Sequence, residues 1–200
     1  ELNSPLLNVG WVLVMAAAAG ATLQKRTGRK FSARRLSQLV AAVTISMVAN
    51  GAVFAFVQIG VEDFLNAWYI IPMLGMMLGN CLGSSVIGLR SYDNRLAKQE
   101  MAYKYMLLCG ASRREALFPF VSAAIRDAMA PSIAQTAAIG LIWLPGMMTG
   151  QILGGSDPTT AIKYQILILT TIFSASVITL FLSIIFTVRS DFDEYGLLKK

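Results

Sequence analysis

The stretch from Leu144 to Gly155, which reads LPGMMTGQILGG, decides how the whole chain is interpreted. It is apolar enough to lie in a bilayer, yet it contains a proline, four glycines and an amide side chain. Pro145 lacks an N–H group, and its ring interrupts the helical hydrogen-bond ladder. Interrupted helices are tolerated at membrane depth beside protein or a wet cavity, and transporters bind substrate at such breaks. Two interpretations follow: a hinge beside a substrate path, or a kinked helix end in which methionine fills space.

The composition around this stretch is that of an integral membrane protein. Of 200 residues, 56% are hydrophobic and 14% are charged, whereas soluble domains average about 25% charged residues. Several apolar runs exceed the roughly 18 residues that indicate a membrane span. We therefore predict an all-α, polytopic membrane protein whose single domain covers residues 1–200. The five predicted spans are residues 7–24, 36–59, 68–89, 128–153 and 158–188.

The charges predict the orientation. The chain carries a net charge of +6, and 16 of its 17 lysines and arginines lie in residues 25–35, 90–127 and 189–200, with Lys163 as the exception. The positive-inside rule makes that side cytoplasmic, which places the first residue outside and the tail inside. The opposite side carries Glu1, Glu62, Asp63 and Asp157. Because topology accounts for the basic residues, we predict no nucleic-acid partner.

Several kinds of chemistry are missing from the sequence. The chain has no histidine, and its two cysteines, Cys81 in a span and Cys109 in a loop, indicate no disulfide. Soft thioethers favour soft metals such as Cu(I), but without histidine or a cysteine cluster the sequence predicts no defined metal site. No G-x-x-x-x-G-K-[ST] pattern occurs, so the chain does not bind ATP through a P-loop. We predict no catalytic residue and no cofactor.

The third span presents two faces. Gly75, Gly79 and Gly83 recur every four residues, a spacing that lets a neighbouring helix approach closely. A second face carries Met73, Met76, Met77 and Asn80. An amide at membrane depth is expected to face protein or a cavity. This second face therefore lines either a substrate path or a packing contact with a neighbouring helix.

The fourth span completes the predicted path. We place the path between spans three and four, where Met147, Met148 and Gln151 provide thioether and amide groups. Pro145, Gly146 and Gly150 are the predicted hinge, because proline weakens the helix and glycine gives the backbone room. The alternative is that Asn80 and Gln151 bond to each other or to backbone and only hold helices together.

Residues 90–127 are predicted to form a cytoplasmic helical region. A helix from about Asn94 to Leu108 ends at Gly110. Ser112 and Glu115 then have the spacing of a capping box, which starts a short helix that Pro119 ends. Such a capped helix suits a groove on a soluble partner, or else it lies on anionic headgroups. The predicted docking residues are Ala111, Ser112, Arg113, Arg114, Glu115, Ala116 and Leu117.

Three motifs carry a resemblance to a known family. They are Pro72–Asn80 (PMLGMMLGN), Gly110-Ala111-Ser112 with Glu115-Ala116, and Leu144–Gly155 followed by Asp157-Pro158 and residues 161–165 (AIKYQ). With these motifs the chain resembles the permease family that contains the bacterial iron-export permease and the plant aluminium-sensitivity permeases. The resemblance extends over essentially the whole chain. Because family members have about seven spans, it implies that two further spans precede those seen here.

The resemblance implies a function. It points to the membrane subunit of an ATP-binding-cassette exporter in the plasma or bacterial inner membrane, with a separate cytoplasmic ATPase and a second permease copy as partners. Bacterial relatives imply iron efflux as the activity, and plant relatives imply aluminium tolerance through a nucleotide-sugar-like solute. An ATP-independent channel or a membrane assembly scaffold is the alternative, and co-purification of an ATPase distinguishes the two classes.

Overall fold

The computed structural model describes residues 5–28, 32–54, 67–139 and 145–191. These residues form seven α-helices and no β-strand, which confirms the prediction of an all-α chain. The helices are α1 (Pro5–Arg26), α2 (Ala33–Phe54), α3 (Ala67–Lys98), α4 (Glu100–Leu108), α5 (Arg113–Ala138), α6 (Gly146–Leu153) and α7 (Pro158–Asp191). Glu62, Asp63 and Leu144, together with the tail beyond Asp191, lie outside the described residues.

Local capping signals fix several helix ends. α4 ends as predicted at Gly110, which has φ +90°, while the Ala111 N–H donates to the Met106 carbonyl. α6 ends in the same way: Gly155 has φ +90°, and the Ser156 N–H donates to the Gln151 carbonyl. In both turns a glycine in the left-handed region allows the chain to satisfy the last carbonyls of the helix.

The start of α7 is also as predicted. Pro158 is its first residue, and the Asp157 carboxylate accepts a hydrogen bond of 3.2 Å from the Thr160 N–H. Asp157 is therefore the N-cap, and proline occupies the first helical position, where its missing N–H has no cost.

The long helix α3 is the centre of the packing. It contacts α1, α2, α5 and α7, and α7 also packs along α2. One buried cluster joins Leu23, Leu39, Tyr92, Leu96, Tyr103, Leu117, Phe120 and Leu180. A second joins Ala16, Val43, Met47, Met73, Met77 and Ile168. The two clusters follow one another along α3, so this helix connects the two halves of the bundle.

Basic residues gather at one end of the bundle. The Arg90 side chain donates a 2.8 Å hydrogen bond to the carbonyl of Arg26, the last residue of α1. In the same region the Arg113 guanidinium donates to the Val188 carbonyl in the last turn of α7. Cations at helix C-termini satisfy free carbonyls and oppose the negative end of the helix dipole. The basic segments that the sequence assigns to one side are therefore adjacent in space.

Three predictions about helix extent are wrong. Residues 94–108 do not form one helix, because Asn94 belongs to α3, which runs to Lys98, and α4 begins at Glu100. Residues 128–153 do not form one helix, because α5 ends at Ala138 and α6 begins at Gly146. The helix that begins after Ser112 does not end at Pro119 but continues through Pro119 and Pro131. Both prolines lie on the exposed face of α5, so their rings do not displace the packing against α3 and α7.

Two of the described helices have the length and hydropathy of membrane spans, namely residues Ala33–Val53 of α2 and Pro158–Arg189 of α7. The helix α6 contains eight residues and extends only about 12 Å, too short to cross a hydrocarbon core of about 30 Å alone. Among the described elements the predicted fourth span is thus made of two helical pieces, and the count of five spans remains a prediction.

Candidate functional site

A cavity of about 360 Å³ lies at the break between α5 and α6. It is bounded by α3, α5, α6 and α7, the helices on either side of the stretch that the sequence singles out. Its lining residues are Met76, Asn80, Ser132, Gln135, Thr136, Pro145, Gly146, Met147, Gln165, Ile168, Leu169, Ile172 and Phe173. The lining is mixed: amides and hydroxyls face it together with an apolar wall from α7.

Part of the predicted path meets at this cavity. Met76 and Asn80 reach it from α3, and Met147 reaches it from α6. The Asn80 amide N–H donates to the Met76 carbonyl at 3.0 Å, so its Oδ1 is available to a donor in the cavity. Helices α3 and α6 therefore supply groups to one cavity, and its role as a substrate path stays a prediction.

The other predicted path residues lie elsewhere. Met73 and Met77 are buried in the second hydrophobic cluster, between α3 and the first two helices. Met148 and Gln151 are half-buried on α6 and do not line the cavity. The Gln151 side-chain carbonyl is buried and accepts no hydrogen bond from the described residues.

The predicted hinge has a defined geometry. Pro145 precedes α6 in an extended conformation, with φ −63° and ψ 131°. Its carbonyl accepts two hydrogen bonds from Thr149, one from the backbone N–H at 3.1 Å and one from the hydroxyl at 2.8 Å. Gly146 lines the cavity, and a Cβ atom added at Gly146 or Gly150 would have no neighbour within 4 Å. The backbone at this break thus has free space on the cavity side.

Four polar residues of the cavity were not predicted from the sequence. Ser132, Gln135 and Thr136 come from α5, and Gln165 comes from α7. Gln165 is only 8% exposed, and its side-chain carbonyl accepts no hydrogen bond from the described residues. The available signal was an amide inside an apolar span, because polar groups at membrane depth mark functional positions.

Among the described residues, the cavity lining lacks the ligands of a resident metal site. No group of three His, Cys, Asp or Glu side chains occurs among the described residues. The cavity lining that the structure describes includes no charged residue. Met76 and Met147 are the only soft donors among the described lining residues, and they come from different helices.

The predicted glycine stripe of α3 has an uneven environment. A Cβ atom at Gly75 would lie 3.5 Å from Met15 of α1, whereas one at Gly79 or Gly83 would have no neighbour within 4 Å. The close approaches occur at other glycines. A Cβ atom at Gly20 would lie 2.5 Å from Val40, and one at Gly88 would lie 2.4 Å from Leu180.

The predicted docking segment begins with a complete capping box. The Ser112 N–H donates to Glu115 Oε2 at 2.7 Å, and the Glu115 N–H donates to the Ser112 hydroxyl at 3.4 Å. These hydrogen bonds with Ser112 lower the pKa of Glu115. The segment is divided between two environments, because Ala116 and Leu117 are buried in this chain while Arg114 is exposed.

Large exposed side chains surround that segment. Phe118 is 70% exposed on α5. On α4, Met101, Tyr105 and Leu108 are 80%, 68% and 86% exposed, and their spacing of four and three residues places them on one helix face. The opposite face of α4 is held by Tyr103, which is buried in the first cluster. We refer to Met101, Tyr105, Leu108 and Phe118 as the elbow surface.

A polar network fixes α5 against α3 next to this elbow. The Asp127 carboxylate accepts hydrogen bonds from the Ser91 hydroxyl at 2.5 Å and from Arg95 at 2.9 Å. The hydrogen bond from Ser91, followed by the one from Arg95, lowers the pKa of Asp127. Because Arg95 also donates to Ser91 at 3.1 Å, the three side chains form a closed set.

The fold and the cavity define a class: a multi-pass helical membrane protein with a polar site at an interrupted helix. Residues 1–192 match the family model described as an uncharacterised protein family, UPF0014, and the chain belongs to that family. No solved structure matches the chain.

Three relatives illustrate the similarity, and two of them are named as a membrane protein and a permease. The chain is 28% identical to the UPF0014 membrane protein YjkA of Bacillus subtilis, over 99% of this chain and 77% of the relative. It is 29% identical to the probable iron export permease protein FetB of Escherichia coli, over 84% of this chain and 63% of the relative. It is 27% identical to the protein ALUMINUM SENSITIVE 3 of Arabidopsis thaliana, over 86% of this chain and 63% of the relative.

Proposed function

We propose that this chain is the membrane-spanning permease subunit of an ATP-binding-cassette exporter, driven by a separate cytoplasmic ATPase. The observation that carries the proposal is the cavity at the break between α5 and α6, where amide and hydroxyl side chains from α3, α5 and α7 meet in an otherwise apolar bundle. A helix used only for anchoring needs neither a break nor enclosed amides, since both leave polar groups to be satisfied in lipid. The five predicted spans and their orientation belong to this proposal.

The exposed part of the cytoplasmic region is the proposed contact with the ATPase. It consists of the elbow surface together with Arg114 of the predicted docking segment. Ala116 and Leu117 contribute by holding α5 to the first cluster, since both are buried within this chain. These four large side chains lie in the predicted cytoplasmic region, where exposed apolar side chains are available to a soluble partner.

A second permease copy is part of the proposed assembly. Gly79 and Gly83 are exposed on α3, and an added Cβ atom at either position would have no neighbour within 4 Å among the described residues. Paired small residues with this spacing permit close contact between membrane helices. We place the second copy on this face, next to the cavity residues Met76 and Asn80.

Two observations favour different classes of exported solute. The name of the FetB relative favours iron as the exported species. The uncharged amides and hydroxyls of the cavity favour a polar solute, for example one that carries a sugar. Hydrogen-bonding groups without carboxylates do not match the oxygen-rich, negatively charged sites that hard cations prefer.

The test of the proposed function is reconstitution with the ATPase. We expect an ATPase encoded beside this chain to co-purify with it and to hydrolyse ATP faster in its presence. A variant with Arg114→Ala and Phe118→Ala should lose most of this stimulation, because both side chains are exposed and contribute little to the fold. Native mass spectrometry of the same complex counts the permease copies.

Leu117→Ala is the matched comparison, because Leu117 is buried beside Phe118. It should lower thermal stability while the remaining folded protein still stimulates hydrolysis. The channel or scaffold interpretation replaces the exporter if no ATPase associates with the purified chain. It also does so if the ATPase hydrolyses ATP at the same rate with and without the permease.

A further inference from the structure

We infer that Gln165 is the recognition residue of a binding site for an uncharged, hydroxyl- or amide-bearing ligand in the cavity between α5 and α7. This inference rests on the proposed transport function, because it names the class of solute that the cavity would hold. It concerns residues of α5 and α7 that the predicted path between spans three and four did not include.

Gln165 provides the first argument. Its side chain is 8% exposed and lines the cavity, and its Oε1 accepts no hydrogen bond from the described residues. Burial removes the hydrogen bonds of an amide carbonyl to water, so a buried carbonyl without a donor is unfavourable. Gln24, Gln38 and Gln151 share this state, but of the four glutamines only Gln165 lines the cavity. The terminal amide can turn by 180°, which exchanges Oε1 and the NH2 group. A ligand hydroxyl that hydrogen-bonds the amide on its cavity side would replace the missing partner.

The opposite wall supplies further polar groups. Ser132, Gln135 and Thr136 lie within one turn and a half of α5 and line the same cavity. The Thr136 hydroxyl donates to the Ser132 carbonyl at 2.8 Å, so its oxygen remains as an acceptor on the cavity side. With Asn80 from α3, amide and hydroxyl groups from three helices converge on one space.

The apolar wall narrows the ligand class. Ile168, Leu169, Ile172 and Phe173 of α7 line the cavity beside Gln165. A ring or short chain that has hydroxyl groups on one side and carbon on the other complements both walls. A bare divalent cation does not, because the described lining offers no carboxylate to balance its charge.

The experiment measures ligand binding by the permease alone, purified in nanodiscs without an ATPase. The neutral probes are myo-inositol, sorbitol and N-acetylglucosamine, and the cation probe is Mn²⁺, whose paramagnetic signal reports binding. We expect at least one neutral probe at about ten times its dissociation constant to raise the unfolding temperature by about 3–5 °C. Mn²⁺ is expected to leave both the unfolding temperature and its own signal unchanged.

Variants assign the effect to the site. Gln165→Leu should weaken binding of the neutral probe about tenfold, as expected for the loss of a hydrogen bond in an enclosed site. Gln135→Leu changes an exposed residue of the opposite wall and should also weaken binding, so the test survives if Gln165→Leu does not fold. Gln24→Leu is the matched control, because Gln24 is a buried amide on α1 that does not line the cavity.

The inference is overturned if none of the neutral probes stabilises the protein in a manner that depends on Gln165 or Gln135. It is also overturned if Mn²⁺ binds the wild-type chain and either substitution removes that binding. Because no ATPase is present, a failure here leaves stimulation of ATP hydrolysis intact. A failure of ATPase association likewise leaves ligand binding in place.

Discussion

The packing of α3 is tested by adding one methyl group at either of two glycines on the same helix. At Gly88 a Cβ atom would lie 2.4 Å from Leu180 Cδ1 and 3.2 Å from Ala128 Cβ. The Leu180 side chain can rotate, but Ala128 cannot withdraw without moving α5. At Gly83 an added Cβ atom would have no neighbour within 4 Å.

The difference between the two substitutions isolates the contact energy. Replacing glycine by alanine inside a helix gains about 0.5–1 kcal/mol in either position, so this gain cancels. Forcing an extra methyl group into a filled core costs about 1–3 kcal/mol. Gly88→Ala should therefore be less stable than Gly83→Ala by about 1–3 kcal/mol.

Thermal unfolding of the two variants as monomers in identical detergent micelles measures this difference, because the second copy proposed at Gly79 and Gly83 is then absent. For a chain of this length each kcal/mol corresponds to about 2–4 °C. Gly83→Ala should unfold at or above the wild-type temperature, and Gly88→Ala about 2–12 °C below Gly83→Ala. Equal unfolding temperatures, or the reverse order, would refute the packing of α3 against α5 and α7 at Gly88.

Two further predictions concern the cytoplasmic region. A membrane-impermeant maleimide should label the exposed Cys109 in inside-out vesicles but not in intact cells. Cys109→Ser should abolish labelling, because Cys81 is buried. Labelling of intact cells would show that the orientation is the reverse of the predicted one. The lowered pKa of Asp127 means that its contribution to stability is present above its unfolded pKa of about 3.9 and is lost as the pH falls through the folded value. Thermal unfolding from pH 6 to pH 3 should thus show a loss in the wild type that is smaller in Asp127→Asn, and parallel curves would contradict this role.

Local signals in the sequence predicted the helix ends well. Gly110, the Ser112–Glu115 box and Asp157 each act within four residues, so their effect does not depend on distant contacts. Pro119 was misinterpreted because its effect depends on tertiary structure. It stands on the exposed face of α5, where a helix tolerates the missing hydrogen bond, and the sequence does not state which face is exposed.

Only some of the residues predicted for the path line the cavity, and the reason is specific to membrane proteins. Met76 and Asn80 line the cavity, while Met73 and Met77 face the core of the bundle. In water, polarity distinguishes the outer from the inner face of a helix, but in lipid both faces are apolar. The sequence could therefore group these methionines but could not assign each to the cavity or the core.

The continuity of α3 has a mechanical consequence. One unbroken helix carries Asn80 at the cavity and Arg95 at the polar network with Asp127. The two residues are separated by about 22 Å along the helix axis. A rigid rod of that length turns rotation into displacement, so a tilt of about 5° at the Arg95 end moves Asn80 by about 2 Å. The Ser91–Arg95–Asp127 set ties α5 to this helix, so a movement of α5 at that set would reach Asn80 through one continuous helix.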